Sequence, residues 1–145
     1  MGIYGFPLPT FDVDVVTVVE AQGPFLEFLT QRGFATVYQS AAFSNHLHPQ
    51  LGRLDIVYVR GRTAEKLFAM VKLQTGPGGV VVPTVAPEHL VAMKLAAARD
   101  DRSRLVGELP ALAFLVRLPG VNREQMAEYF QRYGFLELWD ELSRG

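Results

Sequence analysis

Thr10-Phe11-Asp12-Val13-Asp14-Val15-Val16-Thr17-Val18-Val19 is the stretch on which the reading of this 145-residue chain turns. The turn-forming Pro7-Leu8-Pro9 precedes it, and β-branched side chains fill Val13 to Val19. Such side chains suit a pleated, buried surface, so the segment reads as a strand. Residues two apart on an extended chain point the same way, so Asp12 and Asp14 project side by side at the strand's start. Two like charges held that close repel each other unless a cation sits between them. A carboxylate pair opening a hydrophobic strand is therefore a sensible place for a hard cation such as magnesium, which prefers oxygen ligands.

Arg53-Leu54-Asp55-Ile56-Val57-Tyr58-Val59-Arg60 is the second clear strand. Its alternation puts Leu54, Ile56 and Tyr58 on one face and Asp55, Val57 and Val59 on the other. Asp55 stands inside an otherwise apolar run. With this strand beside the first, Asp12, Asp14 and Asp55 meet at one edge of a sheet. That geometry suits metal-assisted phosphoryl or nucleotidyl transfer, in which cations neutralise the spread-out phosphate charge. Arg53, two residues from Asp55 on the same face, offers the plainer alternative of an ion pair.

Around these strands the chain divides by composition. Gly23 to Gly33 carries Phe25, Leu26, Phe28 and Leu29 at helical spacing, with Gly33 placed to close the helix in a left-handed conformation. Phe34 to Gln39 reads as a short strand and the polar stretch Ser44 to Gly52 as a loop. Thr63 to Met70 is expected to be a short helix capped by Thr63, and Lys72 to Val85 two short strands joined by Gly76-Pro77-Gly78-Gly79. Ala86 to Arg99 is strongly helical, with Pro87 in the first turn and Glu88 at the positive helix end. A second helix runs from about Asp101 until Pro110 interrupts it, and another segment continues to Leu118. Asn122 is placed to cap a helix that Gly134 ends, and Phe135 to Arg144 forms a last short one. The expected architecture is α+β: a mixed β-sheet flanked by helices, with a helical C-terminal portion, in a single domain over 1–145 that is strand-rich to residue 85 and helical from 86.

Composition narrows the functional classes. With 14 basic and 15 acidic residues the net charge is −1, which argues against a strongly basic nucleic-acid footprint. The absence of cysteine removes disulfides, thiolate zinc sites and a cysteine nucleophile. No apolar run reaches the roughly 18 residues of a membrane span. The opening segment has no basic start and is interrupted by prolines and aspartates, so it is not a signal peptide, and a cytoplasmic, membrane-free protein is expected. Gly76 to Gly79 lies between strands and lacks dinucleotide-binding spacing, and no nucleophile elbow is present.

Other features carry less. His46 and His48 alternate on an extended segment and could pair on a metal, but no neighbouring ligand supports them, and a polar loop is the better reading. His89, beside Glu88, reads as a surface residue. Lys94, Arg99, Arg102 and Arg104 form a modest basic cluster near a helix C-terminus, where cations suit the helix dipole. Tyr129, Phe130, Tyr133, Phe135 and Trp139 recur at helical spacing and read as packing residues, with an oligomer contact as the lesser role.

Gly5, Thr10, Asp12 and Asp14, the Asp55 strand, and Ala86 to Arg99 with Lys94 and Arg99 occur in the order found in the nucleotidyltransferase superfamily. The chain resembles most the small bacterial group that includes the abortive-infection (toxin–antitoxin) nucleotidyltransferases, over about Gly5 to Leu109. The resemblance implies a nucleotidyltransferase-like fold. It implies Mg2+ held by Asp12, Asp14 and Asp55, with Asp55 completing the site or acting as general base, and Thr10, Lys94 and Arg99 on the nucleotide. The reaction it implies moves a nucleotide from a nucleoside triphosphate to a hydroxyl acceptor, which the residues leave open among RNA, a protein and a small molecule. Partners would include an antitoxin or further copies of the chain. Three departures stand out: the family's Gly-Gly or Gly-Ser phosphate-holding turn, expected ahead of Gly5, is missing from this sequence; Leu8 takes the place of an arginine; and Asp100-Asp101 replaces a basic–acidic pair. They leave two readings open: the turn is encoded ahead of the first residue of this sequence, or the chain is a degenerate, non-catalytic relative acting as an interaction module or toxin–antitoxin partner.

Overall fold

The computed structural model describes residues 4–5 and 12–144. These form two compact units, one of residues 12–70 and one of residues 71–144 together with Tyr4 and Gly5.

The first unit runs β1 (Asp12–Val18), a 3-10 turn (Val19–Ala21), α1 (Gln22–Gln31), β2 (Ala35–Gln39), β3 (Phe43–His48), β4 (Gly52–Val59) and α2 (Gly61–Ala69). Its sheet has the order β1-β4-β3-β2, with β1 parallel to β4 and the other neighbours antiparallel. The mixed sheet expected from the sequence is present. The β-branched run of β1 and the alternation of β4 bring Val15, Leu54, Ile56 and Tyr58 together with Phe25 and Leu29 of α1 in one apolar cluster. The side-chain period of two therefore leaves the acids of both strands on the other face. α1 closes as expected: Gly33 has φ +85°, and Phe34 N–H donates to the Leu29 carbonyl at 3.1 Å.

Two expectations for this unit are corrected. The polar stretch Ser44 to Gly52 is not a loop; its first half is β3, followed by a turn at 49–51. The alternation was hidden because the buried positions, Ser44 and His46, are polar and find their hydrogen-bond partners on β2 and β4. Thr63 is not a cap: α2 starts at Gly61, Arg60 takes the N-cap position in extended conformation, and no side chain caps the helix.

The second unit comprises the β5 (Lys72–Thr75) and β6 (Val81–Thr84) hairpin, followed by α3 (Pro87–Asp100), α4 (Leu105–Val116), α5 (Arg123–Arg132) and α6 (Leu136–Ser143). Val91, Leu95 and Ala98 form a stripe on α3 that packs with Leu112, Leu115 and Val116 of α4, Met126 and Phe130 of α5, and Phe135. The C-terminal aromatics serve this packing, Trp139 standing 5.4 Å from the Phe130 ring. Asn122 caps α5 as expected, its Oδ1 accepting from Gln125 N–H at 3.0 Å. Its own N–H donates to buried Glu88 at 2.7 Å, tying the start of α5 to the start of α3.

Pro110 does not interrupt its helix. α4 continues through it, because Ala111, Leu112, Leu115 and Val116 are all buried and their packing outweighs the one backbone bond a proline removes. His89 is not a surface residue either: it is 6% exposed and faces Tyr129 of α5, so a neighbouring helix covers the position.

Candidate functional site

The parallel β1–β4 ladder sets Asp12 opposite Arg53 and Asp14 opposite Asp55. Register partners share a face, and so do residues two apart, so these four side chains belong to one face of the sheet. The β3–β4 ladder adds Asn45 opposite Asp55. A row therefore crosses three strands: Asn45, Asp55, Asp14.

Asp55 is the best-held member. Asn45 Nδ2 donates to its Oδ1 at 2.7 Å, and Arg53 Nε donates to both carboxylate oxygens, at 2.8 and 3.1 Å. Its side chain is 25% exposed against 47% for Arg53, so the arginine covers the acid from the solvent side. The hydrogen bond and charge of Asp55, reinforced by Asp12 and Asp14, raise the Arg53 pKa above its ordinary value. A depression of about 240 Å³, lined by Val37, Asn45, His46, Leu47 and Arg53, borders the pair.

The other face of β3 carries a buried polar chain. Thr36 Oγ1 lies 3.1 Å from His46 Nδ1, Ser44 Oγ lies 2.8 Å from His46 Nε2, and Tyr58 Oη lies 2.8 Å from Ser44 Oγ. Burial lowers the His46 pKa, and the charge of Asp55 only partly opposes it. With both ring nitrogens engaged, His46 is a structural residue. His48 is engaged too: its Nδ1 accepts from Gln50 and Leu51 N–H, each at 3.1 Å.

In the second unit, Lys94 Nζ pairs with Glu108 Oε2 at 2.6 Å, each side chain about one-fifth exposed. Arg99 donates to Asp100 through Nε and Nη2 and stacks over Tyr133, 5.3 Å from the ring centroid. Thr10 lies outside the described residues. The structure thus brings Asp12, Asp14 and Asp55 to one face and gives Lys94 and Arg99 acidic partners of their own. Asn45 and Glu108 were not anticipated. Asn45 would have followed from alternation with Ser44 and His46 had β3 been recognised; no local signal marks Glu108.

Among the described residues, no three His, Cys, Asp or Glu side chains are gathered closely enough to hold a metal as they stand. The donor set nonetheless fits a hard cation in kind: carboxylates on adjacent strands, with a guanidinium already drawn to them. Asp12, Asp14 and Asp55 supply the oxygen donors of this face, without forming a three-ligand set. Among the described residues, no helix is long and apolar enough to cross a membrane.

No family model and no curated protein matches this sequence. Among solved structures, it is similar to the crystal structure of lincosamide antibiotic adenylyltransferase LnuA bound to lincomycin, at 12% identity and a TM-score of 0.42 over 92% of this chain and 80% of that one.

Proposed function

We propose that the acidic face of β1 and β4 is the site of a magnesium-dependent nucleotidyltransferase-like protein that takes a nucleoside triphosphate and a hydroxyl acceptor. The observation that supports this reading above any other is the register Asp14–Asp55, with Asp12 on the same face. Like charges directly opposite one another in a sheet are unfavourable, so their placement makes most sense where a cation completes them. Magnesium held there would neutralise phosphate charge and lower the pKa of an acceptor hydroxyl.

The chain's own part is positioning. Parallel ladder bonds fix the spacing of Asp14 and Asp55, and Asn45 fixes the rotation of the Asp55 carboxylate. A carboxylate so oriented can accept a proton from an acceptor hydroxyl or hold a cation. The same reading assigns phosphate contacts to Thr10, Lys94 and Arg99. Which hydroxyl accepts is a matter for assay across RNA, protein and small-molecule acceptors.

The second reading, a non-catalytic interaction module, is favoured by one observation: Arg53 already answers the Asp55 charge. Calorimetric titration of MgCl2 and each nucleoside triphosphate into wild type and Asp14→Asn separates the two. The enzyme reading expects magnesium-dependent triphosphate binding in wild type and its loss in the variant. Wild-type protein that is folded and binds no triphosphate would sink it.

A further inference from the structure

We infer that β5 is an interface strand: it pairs antiparallel with β5 of a second copy of this chain, about a two-fold axis at Leu73, giving a closed sheet in the order β6-β5-β5-β6. The inference is independent of the chemistry proposed for the acidic face.

Hydrogen-bond parity shows which main-chain groups of the hairpin face outward. Gly76 N–H donates to the Val80 carbonyl at 2.8 Å, so these two residues form a hydrogen-bonded pair. Bonded and non-bonded pairs alternate along an antiparallel ladder. The register then makes Gln74–Val82 and Lys72–Thr84 bonded pairs, and Leu73–Pro83 and Thr75–Val81 non-bonded ones. The N–H and C=O groups of Leu73 and Thr75 therefore point away from β6, and the outward groups of β6 belong to Val81 and Pro83. Proline has no N–H to offer, so Pro83 blunts the outer side of β6 without costing the hairpin a bond. Among the described residues nothing comparable guards β5, and no strand lies on its outer side.

The side chains agree with the backbone. Leu73, Thr75, Val81 and Pro83 share one face of the hairpin and all are exposed, Leu73 at 72%. A two-stranded hairpin is marginal by itself and gains from further strands.

A second copy fits this edge because the edge is complementary to itself. With Leu73 opposite Leu73, the two copies exchange both Leu73 N–H···O=C bonds, and Thr75 bonds to Val71 on either side. The two leucines meet on the apolar face. Lys72, the one charged residue of β5, falls opposite Gln74 rather than opposite another lysine. Pairing consumes β5 on both copies and leaves a strand bearing Pro83 at each side, so assembly stops at two.

The test is sedimentation equilibrium over a concentration series on wild type, Leu73→Lys, Leu73→Glu and an equimolar mixture of the two variants, each shown folded by circular dichroism. So short an edge makes a small interface, and wild type should pass from monomer to dimer as concentration rises to about 1 mM. Either variant alone sets like charges opposite each other across the axis and should weaken association at least about fivefold. The mixture sets opposite charges there and should return to within about threefold of wild type. In wild type, exchange of the Leu73 and Thr75 amides should slow as concentration rises, while the Gln74 amide is protected throughout. Wild type that is monomeric at every concentration overturns the proposal, and a Leu73 amide protected in that monomer would mean that the edge is covered within one chain. A dimer that both variants leave unchanged overturns it as well, by placing the interface elsewhere. Loss in both variants without recovery on mixing overturns the pairing of Leu73 with itself.

Discussion

Asp14 and Asp55 stand opposite each other across the parallel β1–β4 ladder, two like charges brought together by main-chain hydrogen bonds rather than by side-chain choice. Backbone pairing fixes that approach, so it survives any substitution that leaves the strands paired. Asp55→Asn is accordingly expected to keep the fold and to change stability by no more than about 1 kcal/mol, since the Arg53 contact it weakens is exposed. Magnesium-dependent triphosphate binding should fall at least about tenfold, about 1.4 kcal/mol. Chemical denaturation and calorimetry on the same samples check the two halves.

His46 makes the stability of the first unit sensitive to acid. Burial depresses its folded-state pKa below the ordinary 6.5, with Asp55 only partly opposing. The unfolded chain therefore binds the proton first as pH falls. The stability linked to the neutral ring is complete above that value and is lost as pH drops from 6.5 toward the folded pKa. Denaturation midpoints measured from about pH 7.5 to 5 should decline in wild type. His46→Gln, which keeps hydrogen-bonding capacity but does not titrate, should show a shallower decline whatever its absolute stability.

Glu88 and Asn122 join α3 to α5 by a bond that does not use the Asn122 side chain. Removing the cap by Asn122→Ala should cost about 1 kcal/mol. Glu88→Ala should cost more, about 1.5–3 kcal/mol, because it removes a buried side chain together with the acceptor of the Asn122 N–H. Equal losses in urea denaturation would mean that the carboxylate contributes nothing beyond the cap.

Gly33 and Gly134 both end helices at positive φ, +85° and +81°. Alanine at either should cost about 1–2 kcal/mol from left-handed strain. A Cβ at Gly33 would also meet His48 Nε2 at 3.2 Å, whereas Gly134 faces open space. Gly33→Ala is therefore expected to be the more damaging, and thermal melts of the two variants compare them directly.

Much of this was legible from residues alone, and the failures have a common cause. β1 and β4 were recognisable because β-branched and alternating apolar residues announce a strand without reference to anything distant. The Asn122 cap and the closing glycines are local chemistry as well. β3 was missed because its inward residues are polar, and what makes them tolerable, Thr36 and Tyr58, lies on other strands. His89 and Pro110 were misjudged for the same reason: packing against neighbouring helices, not the local sequence, decides the burial of His89 and the continuity of α4 through Pro110. At the site, Asp12, Asp14 and Asp55 could be nominated from spacing, and so could the pairing of Arg53 with Asp55. The Asn45 contact depends on a strand that local pattern did not reveal, and the Lys94–Glu108 pair on a helix packing that it could not specify.

β1 has β4 on one side only among the described residues, which leaves the chain's most β-prone run, Val13 to Val18, at a border of the sheet. A bare border of this kind invites a strand from another molecule, and charged side chains are the usual deterrent. Asp12 and Asp14 are the charges this border has, so the residues nominated for chemistry also keep neighbouring molecules from adding on. Neutralising both at once would remove a safeguard against self-association, and any double variant should be judged by its light scattering before its loss of binding is read as lost ligation.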